Sequence, residues 1–100
     1  MAIGSRYPEK QRFSPHPVAN ILNREFTEKG YYHFEGLDLV WLPYSKLEAG
    51  DIYLAGRNVK PFLLTVKEVD YKIGCVFAQE LNANPYNIGE CYKVRLPFGQ

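Results

Sequence analysis

From Gly30 onward, runs of β-branched and aromatic residues are broken at short intervals by glycine, proline and asparagine, which restricts this part of the chain to short strands and tight turns. The remainder is therefore expected to be mostly strand. YYHF (Tyr31 to Phe34) and LDLVWL (Leu37 to Leu42) flank Glu35-Gly36, read as a tight hairpin turn, with Asn-Gly the stronger alternative for such a position. Leu39 to Leu42 is apolar on both alternating faces, as a strand covered on each side requires, and Trp41 is expected to anchor the core. Pro43-Tyr44-Ser45 begins a turn, Lys46 to Ala49 is read as one helical turn, and Gly50-Asp51 releases the chain into IYLA (Ile52 to Ala55).

The run VKPFLLTVKEV, Val59 to Val69, alternates with Phe62, Leu64 and Val66 on one face and Leu63, Thr65 and Lys67 on the other. Pro61 cannot donate a ladder hydrogen bond, so this strand starts at an edge or a bulge. Ile73 to Gln79 and Cys91 to Leu96 read as the last two strands, the second with Tyr92, Val94 and Leu96 inward and Lys93 and Arg95 outward. Between them Glu80 to Glu90, with its three asparagines, a proline and a glycine, reads as the longest loop.

Upstream, Pro17 suits a first helical position, and Val18, Ile21, Leu22 and Phe26 gather on one helical face. Glu25 precedes Lys29 by one turn and Gly30 can end the helix, so the helix is expected over 17–29. Residues 1–16 carry prolines and the basic residues Arg6, Lys10 and Arg12 without a hydrophobic period, and read as an irregular basic arm. Residues 17–100 then form a single globular α+β domain: an N-terminal helix packed on a small, strongly bent antiparallel sheet of about five or six strands, curled toward an SH3-like barrel.

The chain has 100 residues and a formal net charge of +1, so it lacks the global attraction that basic nucleic-acid proteins use. No apolar run reaches the roughly 20 residues needed to cross a bilayer, and a soluble, cytoplasmic protein is expected. Cys75 and Cys91 are read as reduced thiols, since two cysteines are too few for a disulfide framework. Neither they nor His16 and His33 have metal-ligand spacing, so no metal and no cofactor is expected.

Eight tyrosines are more phenols than a core of this size needs, because each buried hydroxyl requires a partner. Tyrosine suits half-exposed binding positions, where its ring buries area at small rotamer cost. Tyr31, Tyr32, Tyr53 and Tyr92 are read as strand residues with their tips at the rim, whereas Tyr44, Tyr71 and Tyr86 fall in turns or loops and are the aromatic binding candidates. The basic candidates are Lys67, Lys72, Lys93 and Arg95, which would form a stripe if their strands were neighbours, together with Arg57. Outward lysines also protect strands from edge-to-edge association.

For catalysis the chain offers little. Cys75 lies in an apolar run, Cys91 is expected to be the more exposed thiol, His33 sits in a strand, and Glu68 with Asp70 share a face without a fixed partner. GDIYL (Gly50 to Leu54), followed by Arg57 and Lys60-Pro61, resembles the opening of the small-barrel plasmid-maintenance toxin ribonucleases over about a tenth of the chain. The resemblance implies Arg57 and Thr65 as substrate-contacting groups, but lysine stands where that family has arginine before the proline.

The expected function is a small noncatalytic binding module that recognises a protein partner through exposed tyrosines and basic residues. A nucleic-acid-binding barrel or toxin-like endoribonuclease is the alternative, and a homodimer through an edge strand is a third arrangement.

Overall fold

The computed structural model describes residues 17–56 and 60–97, so the arm expected over 1–16 and the candidate Arg57 lie outside the described residues. Helix α1 spans Pro17–Lys29, the bounds that its periodicity predicts, and buries Val18, Leu22 and Phe26. Ile21 stays 40% exposed, because the stripe facing the sheet is only one side chain wide at that turn. The helix ends where Gly30, at φ +84°, donates its N–H to the Phe26 carbonyl at 2.9 Å.

Seven antiparallel strands follow: β1 Tyr31–Phe34, β2 Leu37–Trp41, β3 Ile52–Ala55, β4 Phe62–Asp70, β5 Cys75–Ala78, β6 Tyr86–Asn87 and β7 Cys91–Arg95. Their order across the sheet is β1-β2-β7-β3-β4-β5-β6, curled into a half-barrel with α1 packed against it. β1 and β2 meet at a two-residue turn in which Glu35 (φ 49°) and Gly36 (φ 86°) are both left-handed, the geometry that matches the twist of a hairpin.

The strand count exceeds the sequence expectation because the segment 80–90 is not all loop. Two of its residues form β6, pairing Tyr86 with Val76 and Asn87 with Cys75, and Ile88–Glu90 adds a 3₁₀ turn. Lys46 to Ala49 forms no helical turn. Instead Leu47 is buried there, 7% exposed, in the core.

Strand alternation divides the core between the two sheet faces. Leu54, Tyr92 and Val94 face α1 and join Val18, Leu22, Phe26 and Leu39 in one cluster. Tyr53, Ala55, Leu64 and Cys91 face the other way, where Leu47, Val66, Val76 and Tyr86 complete a second cluster. Trp41 is half-buried beside the first cluster, its ring centroid 5.6 Å from Phe26 and 6.1 Å from Tyr92. A register shift between Val66 and Glu68 interrupts β4 at Lys67. This bulge returns Val69 to the second cluster, on the same side as Val66, although an odd step of three positions would put them on opposite faces of a regular strand.

Candidate functional site

The loop between β2 and β3 contains no helix or strand, yet it is held by its neighbours at almost every step. Ser45 N–H donates to the Leu42 carbonyl at 3.2 Å and Asp51 N–H to the Glu48 carbonyl at 3.0 Å, while the Asp51 carboxylate accepts from Glu48 N–H at 2.8 Å. Gly50, at φ +93°, donates to the Val66 carbonyl at 2.9 Å and fastens the loop to β4. From β7 the Lys93 ammonium reaches the Lys46 carbonyl and the Asp51 carboxylate, each at 3.0 Å. Leu47 supplies the apolar plug beneath.

The β4–β5 turn meets this loop. Asp70 Oδ1 accepts from Lys72 N–H at 3.0 Å and from Ile73 N–H at 3.3 Å, and Gly74 N–H donates to the Asp70 carbonyl at 2.8 Å, so the bend is closed at each end. It displays Tyr71 and Ile73, 51% and 64% exposed, with Lys72 exposed between them. The Tyr71 hydroxyl donates to the Leu47 carbonyl at 2.5 Å, and the Lys46 ammonium lies 5.1 Å from the ring centroid. Its phenol is held above the ordinary range by burial first and by the Glu48 carboxylate next, with Lys93 acting in the opposite direction. On the same loop Tyr44 is 97% exposed. Tyr44, Lys46, Tyr71, Lys72 and Ile73 are thus exposed groups carried on two turns that hydrogen bonds join.

The other candidates distribute differently. Tyr86 is 4% exposed, because its pairing with Val76 draws the ring into the second cluster; it is a core residue that also borders a cleft. Lys93 is no free outward cation, since its side chain is only 17% exposed and is committed to Asp51. Lys67 is exposed at the bulge, but β3 lies between β4 and β7, so the proposed stripe of Lys67 with Lys93 and Arg95 does not assemble. Arg95 is exposed and its guanidinium donates to the Leu96 carbonyl at 3.4 Å. Thr65, implied by the toxin resemblance, is half-buried, and its N–H faces the Glu80 carboxylate at 3.2 Å.

Cys91 is fully buried and donates its thiol to the Asn87 carbonyl at 3.4 Å, whereas Cys75 is half-buried, which reverses the expected order of exposure. His33 is exposed and bonds Asp38, its neighbour across the hairpin, at 2.7 Å. Among the described residues no group of three or more His, Cys, Asp or Glu is arranged to hold a metal ion. No helix among them is long and apolar enough to cross a membrane.

Sequence reasoning missed Lys46 and Ile73. Ile73 reads as a strand residue by its apolar character, but Asp70 and Gly74 on either side, both turn formers, are the signal that it lies in the bend.

Two clefts border these elements. One of about 550 Å³ separates residues 32–35 from 60–63, and one of about 280 Å³ lies among Phe62, Leu64, Asn82, Ala83, Asn84 and Tyr86. Comparison with known protein families, with curated proteins and with solved structures finds no match.

Proposed function

We propose that this chain is a noncatalytic binding module, built on an SH3-like barrel, that recognises a protein partner at the surface carrying Tyr44, Tyr71, Lys46, Lys72 and Ile73. The observation that carries the reading is the fixing of Tyr71: its hydroxyl is bonded to the Leu47 carbonyl and Lys46 covers its ring, yet half of the side chain faces water. An aromatic ring held in place loses little entropy on binding, and tyrosine flanked by cations is typical of interface anchors. The formal net charge of +1, with Lys93 neutralised by Asp51, favours a protein partner over a polyanion.

The test is a pull-down from native lysate with and without nuclease, using wild type, Tyr44→Ala and Tyr71→Ala. Captured proteins that survive nuclease and are lost in both variants, at unchanged melting temperature, support the reading. Recovery that vanishes with nuclease and falls steeply with added salt instead identifies a nucleic-acid binder and sinks it.

A further inference from the structure

The smaller cleft, of about 280 Å³, is built from two unlike walls. Phe62 and Leu64 from β4 and Tyr86 from β6 make one of them apolar; Leu64 and Tyr86 are buried, while Phe62 keeps 39% of its surface open to water. The other wall is the segment Asn82, Ala83 and Asn84, in which two exposed asparagines flank a half-buried alanine. None of these six residues carries a charge at neutral pH, and none belongs to the proposed partner surface.

Local structure places the two carboxamides there without using them. Ala83 N–H donates to the Glu80 carbonyl at 3.3 Å and closes a turn, within which Asn82 sits at φ 68°. Asparagine is among the few residues that adopt this left-handed conformation readily. Asn84 precedes Pro85, whose ring favours extended backbone at the residue before it. Neither Asn82 nor Asn84 has a side-chain hydrogen-bond partner among the described residues. Each therefore keeps an acceptor oxygen and an N–H donor side by side along an apolar recess.

This asymmetry selects the chemistry of a ligand. A charged molecule would lose hydration in the cleft and meet no opposite charge. A sugar carries hydroxyls around its whole ring, and Phe62, Leu64 and Ala83 offer them no partner. A flat heterocycle has apolar faces to lie against Phe62 and Leu64, and a donor–acceptor edge that a carboxamide matches with two hydrogen bonds, as with N6–H and N7 of adenine. The volume admits one such ring system and little more. We propose that this cleft binds a small, neutral heteroaromatic molecule of the nucleobase type, stacked on Phe62 and read along its edge by Asn82 and Asn84.

Titration of the isotope-labelled full chain with adenine, followed by two-dimensional NMR, tests it. Saturable shifts are expected at the backbone amides of 62–64 and 82–84, with a dissociation constant of roughly 0.1–10 mM for so small a ligand. Indole has comparable fused rings but no donor–acceptor pair, and should bind at least about threefold more weakly. Asn84→Asp removes the N–H donors at nearly constant shape, and Asn82→Gly keeps the left-handed turn; each should weaken adenine about threefold to tenfold and leave indole unchanged. Signals away from the cleft verify that both variants are folded. Adenosine monophosphate should bind within about twofold of adenosine, because no cation lines the cleft. Tyr44→Ala and Tyr71→Ala should leave adenine binding unchanged, which separates this site from the partner surface. No shift up to the solubility limit of adenine overturns the proposal. Indole bound as tightly as adenine, or adenine indifferent to both asparagine variants, overturns it as well and leaves an unselective apolar recess. Methyl glucoside bound in preference to adenine, or the monophosphate bound about tenfold more tightly than adenosine, overturns the assignment to a neutral heterocycle.

Discussion

The Lys93 ammonium and the Asp51 carboxylate stand 3.0 Å apart at the foot of the β2–β3 loop, with both side chains largely withdrawn from water. Lys93 also caps the Lys46 carbonyl, so a single cation from β7 fixes both ends of a segment that has no regular secondary structure. Lys93→Met preserves the aliphatic stem but leaves Asp51 and the Lys46 carbonyl without their donor. The variant is expected to lose about 1–2 kcal/mol of stability, and partner capture should fall further than stability does, because Lys46 and Tyr71 lose their common support. Urea unfolding alongside the pull-down measures both; equal stability with full capture would remove Lys93 from the loop's scaffold.

Tyr53 is fully buried with a hydroxyl that has no hydrogen-bond partner among the described residues. An unsatisfied buried hydroxyl costs about 1–3 kcal/mol, so Tyr53→Phe, which keeps the ring in the second cluster, is expected to raise stability by roughly 1 kcal/mol. Burial pushes this phenol far above its ordinary value, with the neighbouring Cys91, Glu80 and Tyr86 adding to the shift. The folded state therefore holds the proton more tightly than the unfolded chain. The associated stability is complete below the ordinary phenol range near about 10 and declines as pH rises beyond it. Urea unfolding between neutral pH and pH about 11 should show a steeper alkaline decline in wild type than in Tyr53→Phe. Parallel curves would place the alkaline loss elsewhere.

Helix α1 crosses the sheet at Gly56, where a Cβ would lie 2.8 Å from Leu22 Cδ1 and 3.3 Å from the Ala19 Cα. Leu22 is fully buried, so its Cδ1 has little room to swing aside, and Ala19 presents backbone that must give by a few tenths of an ångström. Gly56→Ala is expected to destabilise by about 1–3 kcal/mol through overpacking. A paired Leu22→Ala background should relieve the clash, making the two changes clearly less than additive in a thermal or urea series. Simple additivity would show that the helix does not press on the sheet at this point.

Local signals made much of this architecture legible. The bounds of α1 follow from Pro17, the spacing of Val18, Leu22 and Phe26, and Gly30; the first hairpin follows from Glu35-Gly36; and β3 spans the four residues Ile52–Ala55 that were expected. What local pattern could not reveal was what covers each face from a distance. Lys93 alternates away from Tyr92 and Val94 as expected, but the segment that meets it there, with Asp51 and the Lys46 carbonyl, arrives from about forty residues away in sequence. Two residues cannot display alternation, so β6 and the burial of Tyr86 stayed hidden within an asparagine-rich stretch. The bulge at Lys67 was equally invisible, because the unbroken alternation through Val66 gives no sign that Val69 will return to the same side.

The hairpin between β1 and β2 contains one residue that its backbone does not favour. Glu35 occupies a left-handed position at φ 49°, where the carboxylate side chain gains nothing from the conformation, and Gly36 follows at φ 86°. Asparagine tolerates this region better than glutamate, and Asn-Gly is the preferred pair for a two-residue turn of this hand. Glu35→Asn is expected to stabilise the monomer by about 0.5–1 kcal/mol, which for a domain of this size raises the melting temperature by a few degrees. Gly36→Ala, forced to the same positive φ with a Cβ, should lower stability by about 1 kcal/mol although its Cβ would meet nothing within 4 Å. Thermal unfolding of both variants at low protein concentration measures the turn alone. A loss of stability in Glu35→Asn under those conditions would mean that the Glu35 carboxylate contributes more to the folded monomer than its strained backbone costs.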